Sequence, residues 1–451
     1  MAKYVKSGES ITTDLLLWDI PRTETSVEDV ETIEIYPINS IEKSETIDFE
    51  IPGFRALMLK SVDLMVKFNI LSHDDKVPAA NTNVSPINNF LHALWENVEV
   101  RVNGYNVEQS MSQSYNMRAF FETCLNSDSD RADQLALAEL FIMDKGLSKI
   151  QNEHLVAYAN TDNTEVVLNE STHLRAERVS QGKDVTLIGK LKSSFLMQDK
   201  NLVTNLPIGI TLTRNKERYC LLHADTEAYK INLKKVVLKC TFVRPKPQIL
   251  RFLNEKLSKE PALYNSPRSE ISTYTVPTGV DSFTIPNMYR ENLPKFVVFA
   301  LQNRESLSGD SHRNPYSYIP VERYKLMLDN ENYFPDSLEI IGTAIGNGAV
   351  KGVASNYSES ALFLNQIYTS LGLEHRGSCL LNSKNFQGHF MMTAALTPDR
   401  TAHKHLNLQR KMDVKLEVIL GHTSTAGHIL VVYNLYDRFI SIDSDRTVTA
   451  Q

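Results

Sequence analysis

The sequence predicts an all-β protein made of two tandem antiparallel β-sandwiches with short helical insertions in their loops. Three observations carry that prediction. Apolar residues alternate with polar ones at a period of two in segment after segment, helical period is confined to short stretches between those segments, and a proline-rich break falls near the middle of a chain too long for one ordinary core.

Alternation is clearest at Val62, Leu64, Val66, Phe68 and Ile70, which face one way while Asp63, Met65, Lys67 and Asn69 face the other. Val98, Val100 and Val102 repeat the pattern against Glu99, Arg101 and Asn103. Asn103-Gly104 then supplies the two positive-φ positions of a tight hairpin turn. Ile208, Ile210 and Leu212 form another row, as do Val236, Leu238, Cys240 and Phe242, and near the C-terminus Val414, Leu416, Val418 and Leu420. Strands with one buried face build antiparallel sheets that pack in pairs.

Helical period appears at residues 86–95, 114–125 and 131–141, between strands rather than alternating with them. That placement speaks against a βαβ parallel sheet and for a sandwich or jelly roll with helical excursions. Residues 145–183 are polar and weakly patterned, and read as a long surface loop.

The break is Arg244-Pro-Lys-Pro247, whose two prolines lack the amides that a central strand needs. It divides the chain into a partly extended N-terminal segment (1–44), a first sandwich (45–245), a linker (246–260) and a second sandwich (261–451). Alternation resumes after it, around residues 271–276, 282–285, 296–301 and 324–328.

Composition narrows the function. With 42% hydrophobic and 23% charged residues the chain is globular throughout most of its 451 residues. Its 48 basic and 54 acidic residues give a net charge of −6, and the first 50 residues hold twelve acidic and four basic ones. A basic genome-binding arm is therefore absent from that stretch, and sequence-specific nucleic-acid binding is not expected. No run approaches the roughly 18 to 20 apolar residues of a membrane span, and the first ten residues lack the apolar centre of a secretory signal. The expectation is a protein synthesised in soluble form inside the cell, with membrane contact left open.

Residues that could carry chemistry are scattered along the chain. His403 and His405 stand at strand spacing with His422 and His428 downstream, but no third ligand of the right kind accompanies them, so a pH-sensitive contact competes with a metal site. Residues 342–348 are glycine-rich without the Lys-Ser/Thr pair of a phosphate loop. Asp74-Asp75 and Glu28-Asp29 sit in polar surroundings that would not raise a carboxyl pKa, and no G-x-S-x-G elbow occurs. Cys124, Cys220, Cys240 and Cys379 lack C-x-x-C pairing and read as buried thiols, with a Cys220–Cys240 disulfide as the alternative. Arg118, Phe120, Phe121 and Glu122 look functional at first sight. Met117, Phe120, Phe121 and Cys124 nevertheless fall at i, i+3, i+4, i+7, the spacing of a helix face turned to the core. No catalytic, cofactor-binding or metal residue is assigned, no cofactor is expected, and the chain is not read as an enzyme.

Several stretches resemble one family in order along nearly the whole chain. They are Leu15-Leu-Leu-Trp-Asp-Ile-Pro-Arg-Thr-Glu-Thr-Ser26, Pro86-Ile-Asn-Asn-Phe-Leu-His-Ala-Leu-Trp95, Val98-Glu-Val-Arg-Val-Asn-Gly104 and Tyr115-Asn-Met-Arg-Ala-Phe-Phe-Glu-Thr123. Phe195-Leu-Met-Gln-Asp-Lys-Asn-Leu202, Arg214-Asn215, Leu257-Ser-Lys-Glu-Pro-Ala262, Leu293-Pro-Lys295 and Asn314-Pro-Tyr316 continue the series. Leu396-Thr-Pro-Asp399, His405-Leu-Asn-Leu408 and Tyr433-Asn-Leu-Tyr-Asp437 through Arg446 close it. Together they are similar to the major capsid protein, or hexon, of Polinton/Maverick elements and adintoviruses.

That resemblance implies a double jelly roll of two side-by-side jelly rolls, three copies of which form a pseudo-hexagonal homotrimer. Such capsomers tile the icosahedral shell of a double-stranded DNA virus, with neighbouring capsomers and a minor capsid or penton protein as partners and the virion capsid as location. Two other readings stand beside it. One is a minor capsid or vertex protein, for which a single jelly roll usually suffices. The other is a domesticated β-sandwich binding module, which needs exposed aromatics beside Asp and Asn, whereas Trp18 and Trp95, the two tryptophans, fall inside the matching stretches.

Overall fold

The computed structural model describes residues 17, 23–42, 44–78, 84–108, 114–144, 170–223, 228–307, 314–319, 321–334, 343–345, 349–351, 357–373, 377–382, 385–386, 389–400, 406–420 and 427–450. In the first half the principal strands are β1 (Val27–Ile35), β2 (Thr46–Ile51), β3 (Asp63–Ser72), β4 (Trp95–Val102), β5 (Tyr105–Asn106), β6 (Val185–Lys190), β7 (Ile208–Arg214) and β8 (Tyr229–Pro245). They form two antiparallel sheets, β1-β8-β3-β6 and β2-β7-β4-β5.

The second half holds β9 (Arg268–Val276), β10 (Ser282–Ile285), β11 (Phe296–Asn303), β12 (Arg323–Leu328), β13 (Glu331–Asn332), β14 (Met392–Ala395), β15 (Val414–Ile419) and β16 (His428–Tyr436). Their sheets are β9-β16-β11-β14 and β10-β15-β12-β13, again antiparallel. Both halves therefore follow one permutation, with the first strand beside the last and the second beside the last but one. This is the winding of a jelly roll, and the chain contains it twice.

Side-chain pattern explains the register. Leu64, Val66, Phe68 and Ile70 are fully buried, and a one-residue slip of β3 would send all four to the opposite face. Strand β8 is longer and changes parity: Tyr229, Ile231 and Leu233 point inward at odd positions, then Val236, Leu238, Cys240 and Phe242 at even ones. The switch is a β-bulge between Leu233 and Lys235, where the extra residue Lys234 turns out to solvent and pairs with Asp184 at 2.5 Å. Asn103 and Gly104 have φ of 49° and 81°, as their hairpin requires, and the strands close at Val102 opposite Tyr105.

The helices depart further from expectation. Residues 86–95 yield only one turn, α1 (Phe90–Ala93), whereas α2 (Tyr115–Asn126) and α3 (Ala132–Ala138) fall where their period places them. Part of the stretch read as a surface loop, 145–183, is helix α4 (Glu170–Val179). That reading is corrected because Thr172, Arg175, Ala176 and Val179 are buried at helical spacing, a pattern that the arginine disguises. Residues 246–260, read as a linker, contain helix α5 (Pro247–Leu257), with proline in the first turn where its missing amide costs nothing. Within residues 1–44, β1 is hydrogen-bonded along its length to β8. Helix α6 (Tyr357–Leu371) packs Phe363 against Phe386 and Phe390 in the second half.

Candidate functional site

With no catalytic set to build around, the seam between the two lobes is the feature that decides what the molecule can do. Its centre is α2, which leaves the first lobe and lies on the sheet β9-β16-β11-β14. Strand β16 is buried on both faces from Leu430 to Asn434, because its own core covers one side and α2 the other. Phe120 stacks face to face on Tyr316, with ring centroids 4.4 Å apart and planes 2° from parallel. Phe121 stacks on Tyr318 at 5.4 Å, and Phe120 also meets Phe141 and His389. All six rings are buried, and apolar side chains of both lobes form a single connected core among the described residues.

The polar residues of α2 complete this contact. Arg118 is buried between Glu108 and Glu122, donating to Glu108 Oε1 and, at 2.8 Å, to Glu122 Oε1. Burial works against its charge, but the two carboxylates outweigh burial and hold the guanidinium protonated. Tyr433 of β16 donates to Glu122 Oε1 at 3.1 Å, so the ion pair reaches into the second lobe. Burial, and then Glu122, push the Tyr433 hydroxyl well above its usual range, and it remains a donor.

A second buried cluster lies at the other end of the seam, around the Asp144 carboxylate. Arg175 of α4 donates to its Oδ1 at 3.2 Å, and Ser171 donates to the same atom. Asn314, from the second lobe, donates to Oδ2 at 2.6 Å. The Asp144 backbone N–H donates to His389 Nε2 at 3.3 Å, and His389 Nδ1 lies 2.9 Å from the Tyr316 carbonyl. Nε2 must accept and Nδ1 donate, so the imidazole is neutral. Burial lowers the His389 pKa, an effect only partly offset by Asp144 and the Tyr316 carbonyl.

Smaller contacts extend the seam. Tyr264 donates to the Asn201 carbonyl at 3.0 Å and accepts from the Val203 amide at 3.1 Å. Arg446 Nε reaches the Thr204 carbonyl at 2.9 Å, and the Leu380 amide reaches the Cys124 carbonyl at 3.0 Å. Buried polar groups satisfied across an interface fix one relative placement of the parts they join. The role of this site is mechanical: it joins the two sandwiches through a shared core and buried hydrogen bonds.

The residues singled out from sequence fall as follows. Met117, Phe120, Phe121 and Cys124 are buried, and the core they face is the seam itself. Glu28 and Asp29 are exposed, and Asp75 pairs with Lys230 at 2.6 Å on the surface. All four cysteines are free and buried, so Cys220 and Cys240 do not form the alternative disulfide. His403, His405 and His422 lie outside the described residues, while His428 is buried in β16. Of the glycine-rich stretch 342–348, residues 343–345 pair with 349–351 as a hairpin, and the remainder lies outside the described residues. Among the described residues no group of three His, Cys, Asp or Glu side chains could hold a metal ion. Asp144, Arg175 and His389 had no sequence signal, since each is isolated in the chain and meets its partners only in three dimensions.

No family model and no curated protein sequence matches the chain. Solved structures do. A chain from the cryo-EM structure of the Sputnik virophage is 10% identical, with a TM-score of 0.58 over 99% of this chain and 93% of that one. A chain of the PBCV-1 virus capsid is 10% identical, with a TM-score of 0.55 over 96% and 98%. The mavirus major capsid protein is 12% identical, with a TM-score of 0.53 over 100% and 96%. At these identities the likeness is one of fold: the chain has the double jelly-roll fold of known capsid structures, antiparallel sheets with helical insertions over its full length.

Proposed function

We propose that this chain is the major capsid protein of a double-stranded DNA virus of the Polinton/Maverick and adintovirus type. Three copies would form a pseudo-hexagonal capsomer, and capsomers would tile an icosahedral shell closed at its vertices by a minor capsid or penton protein. In this reading the jelly rolls span residues 45–245 and 261–451, joined by 246–260, and the protein is made in soluble form before it enters the virion.

The observation that carries the reading is the welded pair of lobes with one strand permutation. A trimer of two-lobed subunits presents six similar walls, and that approximation to a hexagon works only if the lobes keep a fixed relation. The Phe120, Arg118 and Asp144 contacts supply that rigidity. Full-length similarity to virophage and virus capsid chains supports it, and the short matches along the sequence favour the narrower family. Among the described residues no helix is long and apolar enough to cross a membrane.

Negative-stain imaging of the purified, self-associated chain tests this. Hexagonal outlines with threefold internal symmetry, or shells built from them, are expected. Featureless two-lobed particles at every concentration would overturn it.

A further inference from the structure

Helix α5 carries an apolar stripe that the subunit leaves largely uncovered. Leu250, Leu253 and Leu257 line one side of a groove of about 540 Å³, and Leu202, Val203 and Leu263 line the other. Leu257 is buried at its floor, but Leu253 is 48% exposed, Leu263 45% and the neighbouring Phe252 60%. Apolar side chains gathered round one concavity at the junction of two lobes mark a docking surface.

Where the chain enters the fold identifies the occupant. Lys246, just before α5, donates its amide to the Ser26 carbonyl at 2.9 Å, and Val27 pairs with Pro245. The residues preceding Ser26 therefore leave from the foot of this helix. They include Leu15-Leu-Leu-Trp-Asp-Ile20, a run as apolar as the groove, and Leu17 is 74% exposed. Leu17 and the groove residues Leu253 and Leu263 are thus all exposed in a single subunit. Nine extended residues from Ser26 to Leu17 span about 30 Å, against a helix length of about 16 Å. That tether reaches beyond its own groove. Asp14 precedes the run and Asp19 lies within it, while the charged residues lining the groove, Lys200, Lys256 and Glu260, leave it with one net positive charge.

We propose that residues 15–20 of one copy dock in the α5 groove of a second copy, an arm exchange that ties neighbouring subunits together. The inference rests on the capsid reading, because it needs copies held side by side. Trp18 and the leucines fill the groove, and Asp14 and Asp19 settle near Lys200 and Lys256.

The test uses full-length chains carrying two different tags, one with Leu17→Cys and one with Leu253→Cys, mixed, allowed to associate and mildly oxidised. The four native thiols are buried and stay silent. A disulfide joining the two tags, lost when Leu250→Glu is added to the groove partner, is expected. Association without that disulfide would overturn the arm exchange and leave the capsid reading standing. In a third chain carrying both Leu17→Cys and Leu253→Cys, a disulfide formed only within single chains would place the arm in its own groove and also overturn it. Chains that remain monomeric would remove both readings together.

Discussion

Phe120→Ala tests the weld directly. Phe120 is fully buried and its ring meets Phe121, Phe141, Tyr316, Tyr318 and His389. Truncating a buried phenylalanine costs about 3 to 5 kcal/mol, through lost transfer energy and the cavity left behind. The stacked pair with Tyr316 adds about 1 kcal/mol of specific coupling. Unfolding entropy near 2.1 cal/mol/K per residue makes 4 kcal/mol a Tm drop of about 4 °C if the whole chain melts as one unit, and about 10 °C if one lobe of some 200 residues melts alone. Differential scanning calorimetry distinguishes these. The native protein should show one transition, and Phe120→Ala should split it, because the lobes lose their shared core. Phe49→Ala, a similar deletion in β2 away from the seam, should lower the transition without splitting it. A Phe120→Ala protein with a single transition within half a degree of the native one would refute the argument that α2 couples the lobes.

Three further outcomes follow from the same contacts. His389 is held neutral with its pKa lowered, so the unfolded chain binds the extra proton first; the stability it contributes is full above about pH 6.5 and is lost as pH falls toward its folded pKa. Urea midpoints between pH 7.5 and 5 should drop less steeply for His389→Gln than for the native chain, and equal slopes would contradict the assignment. Arg175→Met leaves the Asp144 carboxylate buried with Ser171 and Asn314 alone and should cost about 3 to 5 kcal/mol in urea unfolding, partly recovered by adding Asp144→Asn. Gly104→Ala meets no atom but must hold a φ of +81°, costing about 1 kcal/mol, whereas Gly53→Ala would place its Cβ 2.6 Å from the Leu206 carbonyl oxygen and should cost about 1 to 3 kcal/mol through backbone displacement, both read by chemical denaturation.

Much of the fold was legible because period-two patterning is a local signal. The rows Val62 to Ile70, Ile208 to Leu212 and Val414 to Leu420 each name their strand and its buried face. The bulge at Lys234 was not legible as such, since a parity change in a long apolar stretch looks like two overlapping patterns until the partner strand supplies the register. Helix α4 was hidden because Arg175, the side chain that anchors it, scores as polar surface until Asp144 is placed beside it. The seam itself could be read only in part. Met117, Phe120, Phe121 and Cys124 announced a core-facing helix, but nothing local says that the core belongs to the other lobe. Tyr316, His389 and Tyr433 join α2 from three distant points of the chain, and contacts of that separation leave no periodic trace.

The central claim is that this rigid two-lobed subunit assembles with itself, and its mass in solution is the most direct test. Size exclusion with light scattering across a wide concentration range should give a species of three times 51.1 kDa, or larger multiples built from it. A stable 51.1 kDa monomer at the highest concentration reached would contradict the account.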